Sequence, residues 1–303
     1  MIPQFCYVFA LNWRTMAKGK VKSRKTAGGG KPKRKPVRKR VVVALPEDHG
    51  PFDIVGDVHG CLEELLELLA ALGYAVNRQR KEFVVKPPRG RKLAFLGDFV
   101  DRGPAAPAVL RLVMNMTRAG TAISVAGNRD LELVRLLRGR RAKITRGMTR
   151  TLNQLAKESA GFCEDAVGFL RTLPTHLLLD NGRLALAHAG LKEAMQGHDS
   201  AAARAFALHG ELTGESDALG LPVRKNWAAD YRGKALVVYG HTPVVEPLWQ
   251  HNTVNVDTGC VYGGHLTALR YPERETVSVP ALAMYYPPRR PFPPNKKLQP
   301  EHK

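Results

Sequence analysis

Acidic residues are missing from the first 46 positions of this 303-residue chain, where 13 lysines and arginines stand between Arg14 and Arg40. The stretch 17–40 is rich in Lys, Gly and Pro and has too little apolar surface to fold. Cysteine is scarce as well. The four present (Cys6, Cys61, Cys163, Cys260) form no CxxC pair, which excludes a disulfide framework and a structural zinc knuckle and favours a reduced, cytoplasmic setting. Long apolar runs are absent too. The opening Ile2–Trp13 is too short to span a bilayer, has no basic region before it and no cleavage site after it, so no membrane partner is expected. Met16, just ahead of the basic run, is an alternative start. Gly28-Gly29-Gly30-Lys31 lacks the following Ser or Thr and any flanking strand and helix, so it is not a phosphate-binding P-loop.

The remainder is ordinary globular material, with 44% hydrophobic and 24% charged residues. The formal net charge of +20 belongs to the ends, because 287–303 adds five basic residues against Glu301 and the body is close to neutral. The expected organisation is a basic disordered tail at 1–49, one domain at 50–286, and a disordered Pro/Lys-rich tail at 287–303. Within the domain, Phe52–Val55 reads as a buried strand. Leu62, Leu65, Leu66, Leu69 and Leu72 then mark one face of a helix that stops at Gly73. Further strands are predicted at 93–96, 122–126, 177–179, 184–187, 236–239, 254–256 and 266–269. Helices are predicted from Pro104 to about Ala119 and from Asp130 to Leu137. This alternation predicts an α/β fold of two stacked sheets flanked by helices.

Five polar clusters each follow an apolar strand: Gly56-Asp57-Val58-His59-Gly60, Gly97-Asp98-Phe99-Val100-Asp101-Arg102-Gly103, Gly127-Asn128-Arg129-Asp130, Ala187-His188-Ala189-Gly190 and Gly240-His241-Thr242. Taken singly, Asp57 or Asp130 reads as a helix cap and a lone His as a surface or core residue. Five such clusters at strand ends read differently. Two Asp, one Asn and three His supply mixed oxygen and nitrogen ligands for divalent transition metals. Asp98 is the natural bridge, since one carboxylate can hold two cations about 3.5–4 Å apart.

GDVHG, GDFVDRG, GNRD, HAG and GHT, in this order, resemble the signature of the calcineurin-like metallophosphoesterases, whose fold has two stacked mixed β-sheets flanked by helices. The stretches GDVHGCLEELLELLAALGY, LALAHAGLKEAMQG, WAADYRGKALVVYGHTPVVEP and NTVNVDTGCVYGGHLTALRYPE are similar to the phosphatase module of bacterial polynucleotide kinase–phosphatases, over roughly Phe52 to Ala281. Nothing resembles the kinase or ligase modules of that family. The resemblance implies that Asp57, His59 and Asp98 hold one metal and that Asp98, Asn128, His188 and His241 hold the second. It implies a phosphate grip by Arg102, whose fixed fork of donors suits the task, and an orienting role for Asp257. The cofactors implied are two divalent ions, Mn²⁺ or alternatively Ni²⁺, Fe/Zn or Co²⁺, and the reaction is attack by metal-activated water. One position departs from the pattern. The family reads Gly-Asn-His-Asp or Gly-Asn-His-Glu, with the His protonating the leaving group beside the Asp at position 101, whereas this chain has Arg129, which cannot donate a proton at neutral pH.

The expected function is therefore hydrolysis of phosphate mono- and diesters, foremost RNA 3′-end or 2′,3′-cyclic phosphates, with RNA engaged through the basic tails. The alternatives are a protein serine/threonine phosphatase, a bis(5′-nucleosyl)-tetraphosphatase, or a decayed scaffold that binds nucleic acid. Arg138, Arg140, Arg141, Lys143, Arg146 and Arg150 read equally as a nucleic-acid approach or a solvated face. Trp227 and Tyr231 read as packing residues. Cys61 and Cys260 receive no role.

Overall fold

The computed structural model describes residues 44–142, 144–289 and 292. Both basic tails fall almost wholly outside these residues. The N-terminal boundary moves, however. Strand β1 (Ala44–Leu45) pairs in parallel with β7 (His176–Leu179), so the fold reaches back to Ala44 rather than beginning at 50.

Two sheets form the centre. The first has strand order β15 (Glu275–Pro280), β14 (His265–Tyr271), β2 (Phe52–Val55), β5 (Lys92–Phe95), β6 (Ala122–Ser124). The second has the order β1, β7, β8 (Leu184–Ala187), β11 (Leu236–Tyr239), β13 (Thr253–Asn255), β12 (Leu248–Gln250). Both are mixed. β2, β5 and β6 run parallel in one, and β8, β11 and β13 run parallel in the other. The antiparallel neighbours β14 and β12 flank them.

Side-chain alternation explains the stacking. Phe52 and Ile54 on β2 meet Leu184 and Leu186 on β8 and Leu236 and Val238 on β11 in one buried cluster between the sheets. Their neighbours point the other way. Val55 and Phe95 pack against helices α1 (Leu62–Ala71), α2 (Ala106–Arg118) and α3 (Asn128–Leu137), joined by α4 (Arg146–Leu155) and α5 (Ala160–Thr172). Asp53 lies on this helical side, where a lone carboxylate would be costly, and it accepts from Tyr74 Oη at 2.9 Å and Arg91 Nε at 3.0 Å. On the outer face of the second sheet, Ala185, Val237 and Tyr239 are covered by Phe206 of α6 (Ala201–His209) together with Trp227 and Tyr231. Those two aromatics are packing residues, as their sequence context indicates.

The parallel strands end on one side of the sandwich, and every polar cluster leaves from there. Three segments with weak sequence signals complete the fold. These are the hairpin β3 (Ala75–Gln79)–β4 (Glu82–Lys86), the exposed hairpin β9 (Leu212–Ser216)–β10 (Pro222–Arg224), and the edge strands β12 and β15. No helix among the described residues is long and apolar enough to cross a membrane.

Candidate metal centre

Loops after β2, β5, α3's leading turn, β8 and β11 converge on one buried point. Ligand atoms of Asp57, His59 and Asp98 lie within 4.8 Å of one another, and so do those of Asp98, His188 and His241. Asp98 belongs to both groups. Its Oδ2 stands 3.6 Å from His59 Nε2 and 3.5 Å from His188 Nε2. Asn128, the first residue of α3, places Oδ1 3.0 Å from His188 Nε2, and His241 Nδ1 approaches that nitrogen to 2.9 Å.

Backbone geometry holds these groups in place. His59, Asp98, Asp101, Arg102 and His241 all have φ between 46° and 77°, a left-handed region that costs a non-glycine residue on the order of 1–3 kcal/mol. Gly97, at φ 89°, and Gly127 let the β5 and β6 loops touch; a Cβ on Gly127 would collide with the backbone and carboxylate of Asp98. Asp130 is a cap rather than a ligand, because its carboxylate accepts from Gly127 N at 3.0 Å and Phe99 N at 2.9 Å.

The ring nitrogens are assigned by their outer partners. His59 Nδ1 donates to Val100 O at 2.8 Å, and His188 Nδ1 donates to Leu96 O at 3.0 Å, which leaves Nε2 of each with a free lone pair. Burial disfavours the charged form of all three imidazoles. It pushes His59 down to about 3 with help from Arg102, and it lowers His188 and, further still, His241. The carboxylates diverge. Burial, then Asp257 and Asp98, raise Asp57 well above the ordinary range, and burial raises Asp257 to about 7. Burial also acts to raise Asp98, but His188, His59 and Arg129 outweigh it and hold the group low.

These residues fit divalent cations. Asp57 Oδ2 is buried without a hydrogen-bond partner, 3.9 Å from His59 Nε2. Positive groups already stand at ligand lone pairs, with Arg102 Nη1 2.6 Å from His59 Nε2 and Arg224 Nη2 2.8 Å from His241 Nε2. Imidazoles, carboxylates and an amide form a donor set suited to borderline and hard ions.

Around the centre, Asp101 Oδ2 lies 3.6 Å from Arg102 Nε and 3.3 Å from Arg129 Nε, while Arg129 Nη1 also pairs with Glu132 at 2.9 Å. Asp257 N donates to Asn255 Oδ1 at 3.0 Å, and Asp257 Oδ1 accepts from Gly259 N at 3.0 Å. Three neighbours escaped the sequence reading. Arg224 comes from the β9–β10 hairpin, the His209 ring lies 6.4 Å from that of His241, and the Tyr262 ring supports the Arg102 guanidinium at 5.4 Å. None is one of the polar residues that directly leave the parallel strands, so the sequence reading gave them no role at the centre. Of the basic group after α3, Arg150 supports the loop by donating to Arg102 O at 3.0 Å. Lys143 lies outside the described residues.

The sequence profile of the calcineurin-like phosphoesterases matches residues 50–245. The chain belongs to that family. It is a phosphoesterase-type hydrolase, and the family implies divalent metal ions. The chain is 43% identical over 238 residues to the asymmetrical bis(5′-nucleosyl)-tetraphosphatase PrpE of Anoxybacillus flavithermus, covering 77% of this chain and 96% of the relative. It is 42% identical over 238 residues to that of Bacillus subtilis, with the same coverage. A crystal structure described as that of a candidate diadenosine tetraphosphatase superposes with a TM-score of 0.56 at 27% identity, over 79% of this chain and 97% of the other. A yeast protein serine/threonine phosphatase shares the fold, with a TM-score of 0.53 at 14% identity over 95% of this chain and 92% of the other. The two relatives at 42–43% identity correct the finer resemblance, since they are named as tetraphosphatases and not as polynucleotide kinase–phosphatase modules.

Proposed function

We propose that this phosphoesterase hydrolyses dinucleoside tetraphosphates asymmetrically, dividing the four-phosphate bridge into a nucleoside triphosphate and a nucleoside monophosphate. The expectation of RNA 3′-end phosphates gives way to this alternative, which the names of the close relatives support. The observation that carries it is the place of Arg129. Its guanidinium sits 3.3 Å from Asp101, where the family pattern has a proton-donating His. A ribose alkoxide leaves poorly unless protonated, whereas a polyphosphate leaves a phosphoanhydride as a stable anion and needs no acid. An arginine there suits an anhydride and adds positive charge for a highly anionic bridge.

Asp57, His59 and Asp98 would hold one cation and Asp98, Asn128, His188 and His241 the other. Bound there, the ions would supply Lewis-acid polarisation of the phosphate and a lowered pKa for the attacking water. Arg102, braced by Tyr262 and Asp101, and Arg129 grip phosphate oxygens. Asp257 orients its surroundings through Asn255 and Gly259. The ions proposed are Mn²⁺, as the family resemblance implies, with Co²⁺, Ni²⁺ or Fe/Zn as substitutes that the same oxygen and nitrogen donors accept.

The test is kcat/KM under Mn²⁺ for diadenosine tetraphosphate, a nucleoside 2′,3′-cyclic phosphate and a phosphoserine peptide. The reading expects the tetraphosphate to lead by at least ~10-fold. A lead for the cyclic phosphate would restore the RNA-end reading and overturn this one.

A further inference from the structure

Beyond the centre just described, a second group of metal-ligating side chains is buried behind it. Cys61, Glu64 and Cys260 place one ligand atom each within 4.8 Å of one another. Cys61 and Glu64 are fully buried, and Cys260 is 1% exposed. Their sequence positions explain the meeting. Cys61 caps the N-terminus of α1 and Glu64 lies in its first turn, so the i, i+3 spacing sets both on one face. Cys260 follows the Asp257-Thr258-Gly259 turn that closes over that face.

Glu64 is not satisfied by protein alone. Its Oε1 accepts from Leu282 N at 3.0 Å, but Oε2 is buried with no partner. An orphaned, wholly buried carboxylate oxygen beside two thiols is costly to maintain unless a cation completes it. We propose that Cys61, Cys260 and Glu64 form a separate site for a single thiophilic divalent cation, zinc in the first instance.

The chemistry separates this site from the hydrolytic centre. Two sulfurs and one oxygen select softer ions such as Zn²⁺, whereas the Asp, Asn and His set of the centre accepts Mn²⁺ readily. Three protein ligands leave a fourth tetrahedral position, open to a water or a further donor. Two thiolates and a carboxylate neutralise the ion with one negative charge to spare. Arg150, which donates to Tyr285 O at 3.3 Å and to Arg102 O at 3.0 Å, lies on that side.

The site has a structural consequence. Cys61 is two residues beyond His59, and Cys260 is three beyond Asp257. One ion would join the loop carrying Asp57 and His59 to the loop carrying Asp257. Through Leu282 it would also fasten the segment after β15 against α1.

Cobalt distinguishes the two kinds of site, because only thiolate ligands give near-ultraviolet ligand-to-metal charge-transfer absorption. The full chain, purified under reducing conditions and stripped of metal, is titrated with Co²⁺. The expected result is a charge-transfer band that Cys61→Ser/Cys260→Ser abolishes while the visible bands of the oxygen and nitrogen centre persist. Glu64→Gln should keep the band but release zinc to a chelator more readily, by more than the ~10–100-fold typical of losing an outer partner. Absence of the band in the wild type, its persistence in the double variant, or isolation of a Cys61–Cys260 disulfide that excludes metal would each overturn the proposal. X-ray absorption on the zinc-loaded wild type guards against misfolded variants. It should show sulfur at about 2.3 Å, and a purely oxygen and nitrogen shell would contradict the site.

Discussion

Replacing Arg129 by His tests how the leaving group departs. The Arg129 backbone N donates to Asp98 Oδ1 at 2.9 Å, a bond that any residue at 129 retains. The side chain is what changes. Its Nε lies 3.3 Å from Asp101 Oδ2, so an imidazole at the same place would reach that carboxylate and be held there as the proton donor. Burial raises the Asp101 pKa, and the Arg102 guanidinium, which pulls it back down, remains after the substitution to favour the ionised carboxylate that accepts from an imidazole. Asp101 would also keep Arg102 at 3.6 Å after the substitution. A positioned general acid contributes about 10²–10⁴ to reactions that need one. Part of that gain is offset by the lost guanidinium, so Arg129→His should raise kcat/KM on a nucleoside 3′-monophosphate by about 10-fold or more. Nitrophenolate and polyphosphate leave unprotonated, so activity on bis-p-nitrophenyl phosphate should change little and that on diadenosine tetraphosphate should hold or fall. The assay is steady-state hydrolysis of the three substrates by both proteins. An equal change on all three would refute the leaving-group argument and assign Arg129 to binding alone.

Asp98→Ala should lower turnover at least ~10³-fold and remove bound metal measured by elemental analysis, because both ligand groups share Asp98; wild-type metal content with wild-type turnover would contradict that. In metal-free protein, Asp257 is protonated in the fold up to about 7 but ionised in the unfolded chain above its ordinary value of 3.8. Its contribution is therefore present at low pH and lost as pH rises through that window, so the stability of wild type relative to Asp257→Asn should fall by on the order of 4 kcal/mol between pH 4 and 8. Denaturant titrations would show a flat difference if the group is not buried as described. Gly127→Ala should disable the enzyme and lower its melting temperature, since the added methyl meets Asp98; a normal metal content and rate would show that the loops can separate. Deleting residues 1–43 should weaken salt-sensitive RNA binding while leaving nitrophenyl ester hydrolysis nearly intact, and loss of hydrolysis would place the tail in the catalytic unit.

The parts of the fold legible in the sequence are those with a local cause. The parallel strands β2, β5, β8 and β11 are short apolar runs, each followed within three residues by a candidate ligand in a loop that contains glycine, so strand and candidate site announced each other. The heptad-like leucines of α1 did the same. The edge strands β12 and β15 and the hairpin β3–β4 are half-polar, and only their tertiary partners make them strands. α4 was hidden because its basic residues read as a solvated approach, although Met148 and Leu155 bury one face. The candidate ligands were legible as polar residues at strand ends and their division into two groups came from the family resemblance, whereas Arg224, His209 and Tyr262 reach the centre through long-range folding. The same holds for Cys61 and Cys260, which are 199 residues apart in sequence and meet only when β14 pairs with β2.

Phosphorus NMR of diadenosine tetraphosphate, followed as metal-free protein is titrated with Mn²⁺, tests the account most directly. Turnover should reach its full value at two equivalents of Mn²⁺, with adenosine triphosphate and adenosine monophosphate as the products. Two molecules of adenosine diphosphate, or full activity at a single equivalent, would contradict it.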